Sequence, residues 1–341
     1  MRVAITGASG FIGSNLCHGL RSAGHEPVAV VRASSRLDRL DRQFEVISAD
    51  VRDQDALKRA FQRAEAVIHC AALVDAYANP WEARSINFIA AFNVCHAAVD
   101  SGVAHVVQMS SAAVYARDNR RGVPLAEDKA RIVDDPPVYD TYSINKAAAE
   151  KVVLDFGEAG RFQASVLRMG AVYGPGDRLS APVAAAIRAG RVANVGRRPL
   201  HFGLIHVDDL VSAVAAALER PPMNGRAFNL DGPAPATFQQ YLAEFSRALG
   251  VDPEIRSIPL AAARAAAWAA ETVWNIGKLD GPAPLNRFSV ELLAADFILD
   301  TSRARSELGW EPKIELATGL DTVACWLETE PAVSPALPML A

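Results

Sequence analysis

Residues 3 to 13 read Val-Ala-Ile-Thr-Gly-Ala-Ser-Gly-Phe-Ile-Gly, an apolar run that turns through three glycines at three-residue spacing. Arg2–Thr6 has the composition of a buried strand and residues 14–23 that of a helix, so the glycines occupy a strand–turn–helix junction. Such a junction is built to hold a pyrophosphate. Gly7 permits the tight turn, Gly10 lets the backbone approach the phosphates, and Gly13 lets the helix pack on the strand. The bare N–H groups around Ser9, Phe11 and Ile12 then face the anion, assisted by the helix macrodipole.

Strand and helix alternate beyond this unit. Residues 27–31 and 44–48 read as a second and third strand, a polar helix covers 53–63, and Ala66-Val67-Ile68-His69-Cys70 is a buried fourth strand. Helical periodicity runs over 81–99, a fifth strand over 105–110, a helix over 146–158 and a sixth strand over 164–168. This order implies right-handed crossovers and an α/β fold with a Rossmann-type, doubly wound parallel sheet. From Val172 the pattern loosens into Pro and Gly clusters at 174–176, 221–225 and 231–235. The expected division is a dinucleotide-binding domain over 1–171 and a smaller, mostly helical substrate lobe over 172–330, with segments returning to the first domain. The Pro- and Ala-rich residues 331–341 are expected to form a flexible tail.

Composition narrows the class. Half of the 341 residues are apolar and 22% are charged, the balance of an ordinary globular enzyme. A net charge of −4 leaves no basic field to attract nucleic acid or anionic lipid. Cys17, Cys70, Cys95 and Cys325 sit in apolar stretches without a CxxC pair, so they read as small buried hydrophobes in a reducing compartment, not as bridges or metal ligands. The N-terminus lacks the basic segment and cleavage site of a signal peptide, and no run of about 18 apolar residues would span a membrane. A cytoplasmic location is expected.

Tyr142-Ser143-Ile144-Asn145-Lys146 opens a helix, and the i, i+4 spacing sets tyrosine and lysine on one face. A phenol with an unperturbed pKa of about 10 is a poor base near neutrality. An ammonium beside it favours the phenolate and so suits it to exchange a proton with a substrate hydroxyl or carbonyl. The fifth strand ends in Ser110-Ser111, and strand carboxyl ends face the ligand crevice of an open α/β sheet, where a hydroxyl can hold the reacting oxygen.

With the GxxGxxG turn, Ser110-Ser111-Ala112-Ala113-Val114-Tyr115 and the Tyr142/Lys146 pair on the page, the chain resembles the extended short-chain dehydrogenases/reductases. That branch holds nucleotide-sugar epimerases, dehydratases and 3β-hydroxysteroid dehydrogenases. The likeness covers nearly the whole length and includes His69-Cys70-Ala71-Ala72, Asp50-Val51, Leu167-Arg168, Val172-Tyr173-Gly174-Pro175-Gly176-Asp177 and Ile205-His206-Val207-Asp208-Asp209. It implies that Ser111 is the catalytic serine, Tyr142 the acid/base, Lys146 its modulator and a grip on the nicotinamide ribose, and Asn87 the support of a proton-relay water. It further implies that Asp50 and Val51 contact the adenine, that Ala71 and Ala72 line the cofactor cleft, and that His206 and Asp208 lock the two lobes. A homodimer is implied too. Ala116 and Met169 depart from the family's usual glycine and proline, which bears on loop shape near the substrate.

The second strand ends in Arg32, followed by Ser34, Ser35 and Arg36, with no acid to accept the ribose 2′-OH of NAD. Arg32 and Arg36 suit the extra phosphate of NADP; NAD accepted without that acid, beside solvated arginines, stays open. Residues 259–276 form an alanine-rich helix with Arg264, Glu271 and Lys278 recurring every seven residues. It reads as a core helix, a lid over an apolar substrate, or a patch in peripheral contact with lipid. Residues 284–288, 304–310, Gly319-Leu320 and Trp326 resemble the 3β-hydroxysteroid and sterol-carboxylate dehydrogenase branch. The leading expectation is therefore NAD(P)-dependent interconversion of a secondary alcohol and a ketone on a hydrophobic or steroid-like molecule. A nucleotide-sugar epimerase or reductase, with Arg178, Arg188, Arg191, Arg197 and Arg198 about a second pyrophosphate, is the alternative, and a non-catalytic NADP-binding sensor a third.

Overall fold

Short runs of Val, Ile and Ala fit a pleated surface buried on both sides, and here they build one parallel sheet. The computed structural model describes residues 1–74, 79–115, 122–129, 141–196, 199–220, 225–277, 283 and 285–329. The chain runs β1 (Arg2–Thr6), α1 (Phe11–Ser22), β2 (Glu26–Val31), β3 (Glu45–Ser48), α2 (Gln54–Ala60), β4 (Ala66–His69), α3 (Pro80–Arg84), α4 (Ala90–Asp100), β5 (His105–Met109), α5 (Thr141–Glu158) and β6 (Gln163–Met169). Beyond these come β7 (Ala171–Tyr173), α6 (Ser180–Arg188), β8 (Ala193–Val195), β9 (Leu204–His206), α7 (Val207–Glu219), β10 (Arg226–Leu230), α8 (Phe238–Ala248), β11 (Arg256–Ile258), α9 (Leu260–Ile276), α10 (Arg287–Ala294) and α11 (Leu316–Thr329).

Seven strands pair in the order β10-β6-β5-β4-β1-β2-β3. Every pairing is parallel. Strand order reverses between β1 and β4, and the crevice of such a sheet opens at that switch point, outside the strand carboxyl ends. One face carries a core of Leu16, Leu20, Leu210 and Val214 against Ile5, Ile68 and Leu167. The other packs Leu57, Phe61, Val94 and Val153 on Ala4, Val67 and Val106. The fold class read from the sequence holds.

The structure differs from expectation in three places. The periodic stretch 81–99 is α3 and α4 joined by a π-helical turn, Ser85–Ile89. A seventh strand, β10, joins the sheet beside β6; its buried Asn229 interrupts the apolar run that would have announced it. Cys17 and Cys95 are buried and Cys70 half-buried, but Cys325 is exposed on α11, so the reading of all four as buried is corrected. Helix α9 is tied to α10 by Arg264 with Glu291 at 2.7 Å and Glu271 with Arg287 at 2.6 Å. Glu271, Ala263 and Ala267 are buried, while Trp268, Val273 and Ile276 are exposed. Among the described residues no helix is long and apolar enough to cross a membrane. Ala116, Arg197, Arg198, Lys278, Pro284 and the 331–341 tail lie outside the described residues.

Candidate active site

Gly7, at φ +70°, ends β1 hard against the end of β4: a Cβ there would lie 2.7 Å from the Ala71 Cα. A Cβ on Gly13 would lie 2.3 Å from the Gly7 carbonyl oxygen and 2.8 Å from the Ala8 Cα. The Gly10 N–H donates to the Gly7 carbonyl at 3.0 Å. Gly10 caps α1 without a side chain, and the first turn carries no acidic residue. The opening N–H groups are therefore left to a ligand, and no carboxylate repels an anion, so this cradle fits the diphosphate of a dinucleotide. Ser9, Phe11 and Ile12 are half-buried at its rim.

Around the cradle, Ala71 donates its N–H to Thr6 Oγ1 at 3.3 Å. The same hydroxyl meets Nδ1 of His69 at 2.8 Å. Burial pulls His69 down to about 3, so the imidazole is neutral. Ala72 is half-buried beside it. At the end of β2 the Arg32 N–H donates to Ser35 Oγ at 3.1 Å. Arg36 instead extends into solvent and pairs with Asp38 at 3.2 Å. Asp50 accepts from Arg52 through its N–H and Nε at 2.9 Å and through Nη2 at 2.6 Å. Those bonds and the nearby Arg32 charge hold its carboxyl below the usual range. Val51 is buried, and its carbonyl accepts from Asn93 at 3.1 Å.

The two serines at the end of β5 have different surroundings. Ser110 is buried and its hydroxyl donates to Glu150 of α5. Ser111 is half-buried and its Oγ accepts from the Ala113 N–H at 3.2 Å, capping a single 3₁₀ turn. Helix α5 begins at Thr141, so Tyr142 and Lys146 share a face in its first two turns. Tyr142 is half-buried; Lys146 is buried and donates from Nζ to the Met109 carbonyl at 2.8 Å. Burial pulls the Lys146 ammonium down to about 8, against the opposing fields of Cys70 and Glu150. Asn87 sits buried in the π turn, accepting from the Leu73 N–H at 2.8 Å and donating to its carbonyl at 2.9 Å, so its amide holds the chain after β4.

Two features escaped the sequence reading. Glu150 and Arg168 form a buried ion pair under Lys146 at 2.8 Å, tied to Tyr115 and Asn229. The expected lock through His206 and Asp208 has a further member. The Asp208 carboxylate is 70% exposed; its Oδ2 lies 3.7 Å from His206 Nδ1, and its N–H donates to the same nitrogen at 3.3 Å. The buried neighbour Asp209 ties α7 to the later chain as well, accepting the N–H groups of Lys313 at 3.0 Å and Ile314 at 2.9 Å. Arg178, Arg188 and Arg191 are exposed. Among the described residues no cluster of His, Cys, Asp or Glu could hold a metal.

A parallel sheet with this switch point, this glycine cradle and a tyrosine–lysine pair one helical turn apart defines an NAD(P)-dependent short-chain dehydrogenase/reductase of the extended type. Residues 3–231 match the NAD dependent epimerase/dehydratase family, and the chain belongs to it. It is 30% identical to a 4-hydroxy-2-methyl-3-oxo-4-farnesyl-3,4-dihydroquinoline-1-oxide ketoreductase of Stigmatella aurantiaca, over 99% of each chain. It is 26% identical to the 3beta-hydroxysteroid-dehydrogenase/decarboxylase isoform 1 of Arabidopsis thaliana, over 87% of this chain and 69% of that one. The fold is also that of the UDP-glucose 4-epimerase of Thermus thermophilus in complex with NAD, with a TM-score of 0.76, 23% identity and coverage of 96% and 99%.

Proposed function

We propose that this chain interconverts a secondary alcohol and a ketone on a hydrophobic or steroid-like small molecule, with NADP preferred over NAD. The observation that carries the reading is Lys146, a buried ammonium one turn from Tyr142 and anchored to the end of β5 next to Ser111. Similarity to the farnesyl-quinoline ketoreductase and the 3β-hydroxysteroid dehydrogenase supports an apolar substrate. Arg32, whose charge reaches Asp50, supports a 2′-phosphate contact, and Arg36 would add to it on leaving Asp38.

Gly7, Ser9, Gly10, Phe11, Ile12 and Gly13 would hold the diphosphate, Asp50 and Val51 the adenosine, and Ala71 and Ala72 the cleft wall. The bound dinucleotide supplies or accepts the hydride. Ser111 then orients the reacting oxygen, and Tyr142 gives its phenolic proton to a carbonyl or takes one from an alcohol. The Lys146 ammonium favours the phenolate, and Asn87 keeps the Leu73 segment in place beside the cleft. In this reading residues 1–171 serve the dinucleotide and 172–330 the substrate. The enzyme would be cytoplasmic and homodimeric, with the exposed face of α9 in peripheral contact with lipid.

The test follows absorbance at the nicotinamide band with NADPH or NADH, offering apolar ketones, 3-oxo acids, sterols and UDP-sugars. Net oxidation of NADPH with an apolar ketone is expected. Interconversion of UDP-sugars without net coenzyme use would replace this reading with the epimerase. Coenzyme binding without turnover of any substrate would replace it with the sensor.

A further inference from the structure

Glu150 lies one turn beyond Lys146 on α5 and is fully buried. Its carboxylate takes the guanidinium of Arg168 through Nε at 3.0 and 3.1 Å and through Nη2 at 2.8 Å, and it accepts the Ser110 hydroxyl. Arg168 also donates from Nη1 to Tyr115 Oη at 3.1 Å and to the Glu127 carbonyl at 3.0 Å. A buried ion pair is no default stabiliser, because desolvating two charges offsets most of their attraction and an apolar pair of equal volume is often as stable. The pair therefore asks for another explanation.

Its geometry offers one. Lys146 holds the carbonyl of Met109, and Glu150, one turn later, holds the side chain of Ser110. Two side chains on one face of α5 thus grip consecutive residues at the end of β5, and Ser111 is the residue that follows. We infer that Glu150 is a positioning residue of the reaction: clamped by Arg168, it fixes Ser110, and with it Ser111, and it faces the Lys146 ammonium with a negative charge. The inference rests on reading Tyr142 and Lys146 as the proton-transfer pair.

Among the described residues, the groups whose charges act on Lys146 are Cys70, at the end of β4, and Glu150, while Lys146 acts in turn on His69. Tyr142 lies one turn earlier on the same helix. Burial pushes the Cys70 thiol up to about 11, so near neutral pH it carries no charge. His69 is neutral as well. Glu150 is then the anion that opposes the desolvation of Lys146. Arg168 from β6 pairs with Glu150 at 2.8 Å and weakens its field at Lys146.

The six lysines of the chain make a direct test practicable. The full-length enzyme, labelled with ¹⁵N-lysine and loaded with NADPH, is titrated by NMR, the Lys146 signal being assigned by its loss in Lys146→Arg. In Glu150→Gln the Lys146 midpoint should fall by about one pH unit, and kcat should fall ~10-fold or more at unchanged KM. Ser110→Ala leaves the ion pair in place and guards against a misfolded Glu150→Gln; it should lower kcat by ~10-fold without moving the Lys146 midpoint. An unmoved midpoint in folded Glu150→Gln, or wild-type kcat in Ser110→Ala, overturns the inference. Tyr142→Phe separates the two levels: if it keeps turnover, the reading of the proton-transfer pair fails, whereas its inactivity with an unmoved Glu150→Gln midpoint sinks the positioning role alone.

Discussion

Replacing Gly13 with alanine puts a methyl group 2.3 Å from the Gly7 carbonyl oxygen, where ordinary contact begins near 3.4 Å. The obstacle is backbone on every side, Gly7 and Ala8, so no side chain can swing away to relieve it. The start of α1 must retreat from the turn by roughly 1 Å, which stretches a charge-assisted N–H···O bond beyond its useful range. Two such bonds to a diphosphate, each about 1.5–3 kcal/mol, would be weakened together. A net loss of about 3 kcal/mol, or ~100-fold in the Kd for NADPH, is expected. Titration calorimetry on Gly13→Ala measures it. Gly24→Ala is the control, because Gly24 also has a positive φ, +85°, but nothing within 4 Å of its would-be Cβ. It should cost about 1 kcal/mol of stability and leave NADPH binding alone. A folded Gly13→Ala that binds NADPH within threefold of wild type would refute the cradle.

Three further outcomes are expected. Arg32→Asp removes one charge-assisted phosphate contact, so the ratio of kcat/KM for NADPH to that for NADH should fall by ~10–100-fold, and an unchanged ratio removes Arg32 from the contact. Asp209→Ala leaves the N–H groups of Lys313 and Ile314 without their carboxylate partner and should cost roughly 1–3 kcal/mol in urea melts, whereas Asp208→Ala, exposed, should fall within about 0.5 kcal/mol of wild type; equal effects would contradict the tie through Asp209. Burial holds His105 neutral in the folded chain, down to about 4, while the unfolded chain protonates it near 6.5. Below that value the unfolded state binds more protons, so stability present near pH 7 is lost as pH falls, by up to ~1.4 kcal/mol per unit. His105→Gln should therefore lose less stability than wild type between about pH 6.5 and pH 5, and parallel losses would refute this.

Much of the central sheet was legible because each of its first six strands holds at least two adjacent apolar residues in a short segment bounded by polar or glycine-bearing turns. The expected strand at 164–168 differs from β6 by one residue at each end. Strand β10 hid behind a Pro- and Gly-rich stretch and a polar residue, Asn229, whose side-chain amide bonds partners far away in sequence, Tyr115, Leu125 and Asp300. The three-residue strands β7, β8, β9 and β11 are too short for periodicity to register. In α9 nothing local names the partners of Arg264 and Glu271, which α10 supplies as Glu291 and Arg287.

At the candidate site, Tyr142 and Lys146 were readable because four residues make one helical turn. Gly7, Gly10 and Gly13 were readable because only glycine leaves that much room. The Glu150–Arg168–Tyr115–Asn229 cluster was not, since its members come from α5, β6, the turn after β5 and β10, and only the folded sheet brings them together. Asp208 and Asp209 are adjacent at the start of α7, about 100° apart around the helix, and nothing local says which one turns inward.

In the proposed reaction Tyr142 transfers the proton beside a bound dinucleotide. The most direct measurement is single-turnover oxidation of bound NADPH by an accepted apolar ketone in Tyr142→Phe, with the coenzyme Kd measured on the same sample. A rate at least ~100-fold below wild type at unchanged Kd is the predicted result. Full-rate turnover in that variant would contradict it.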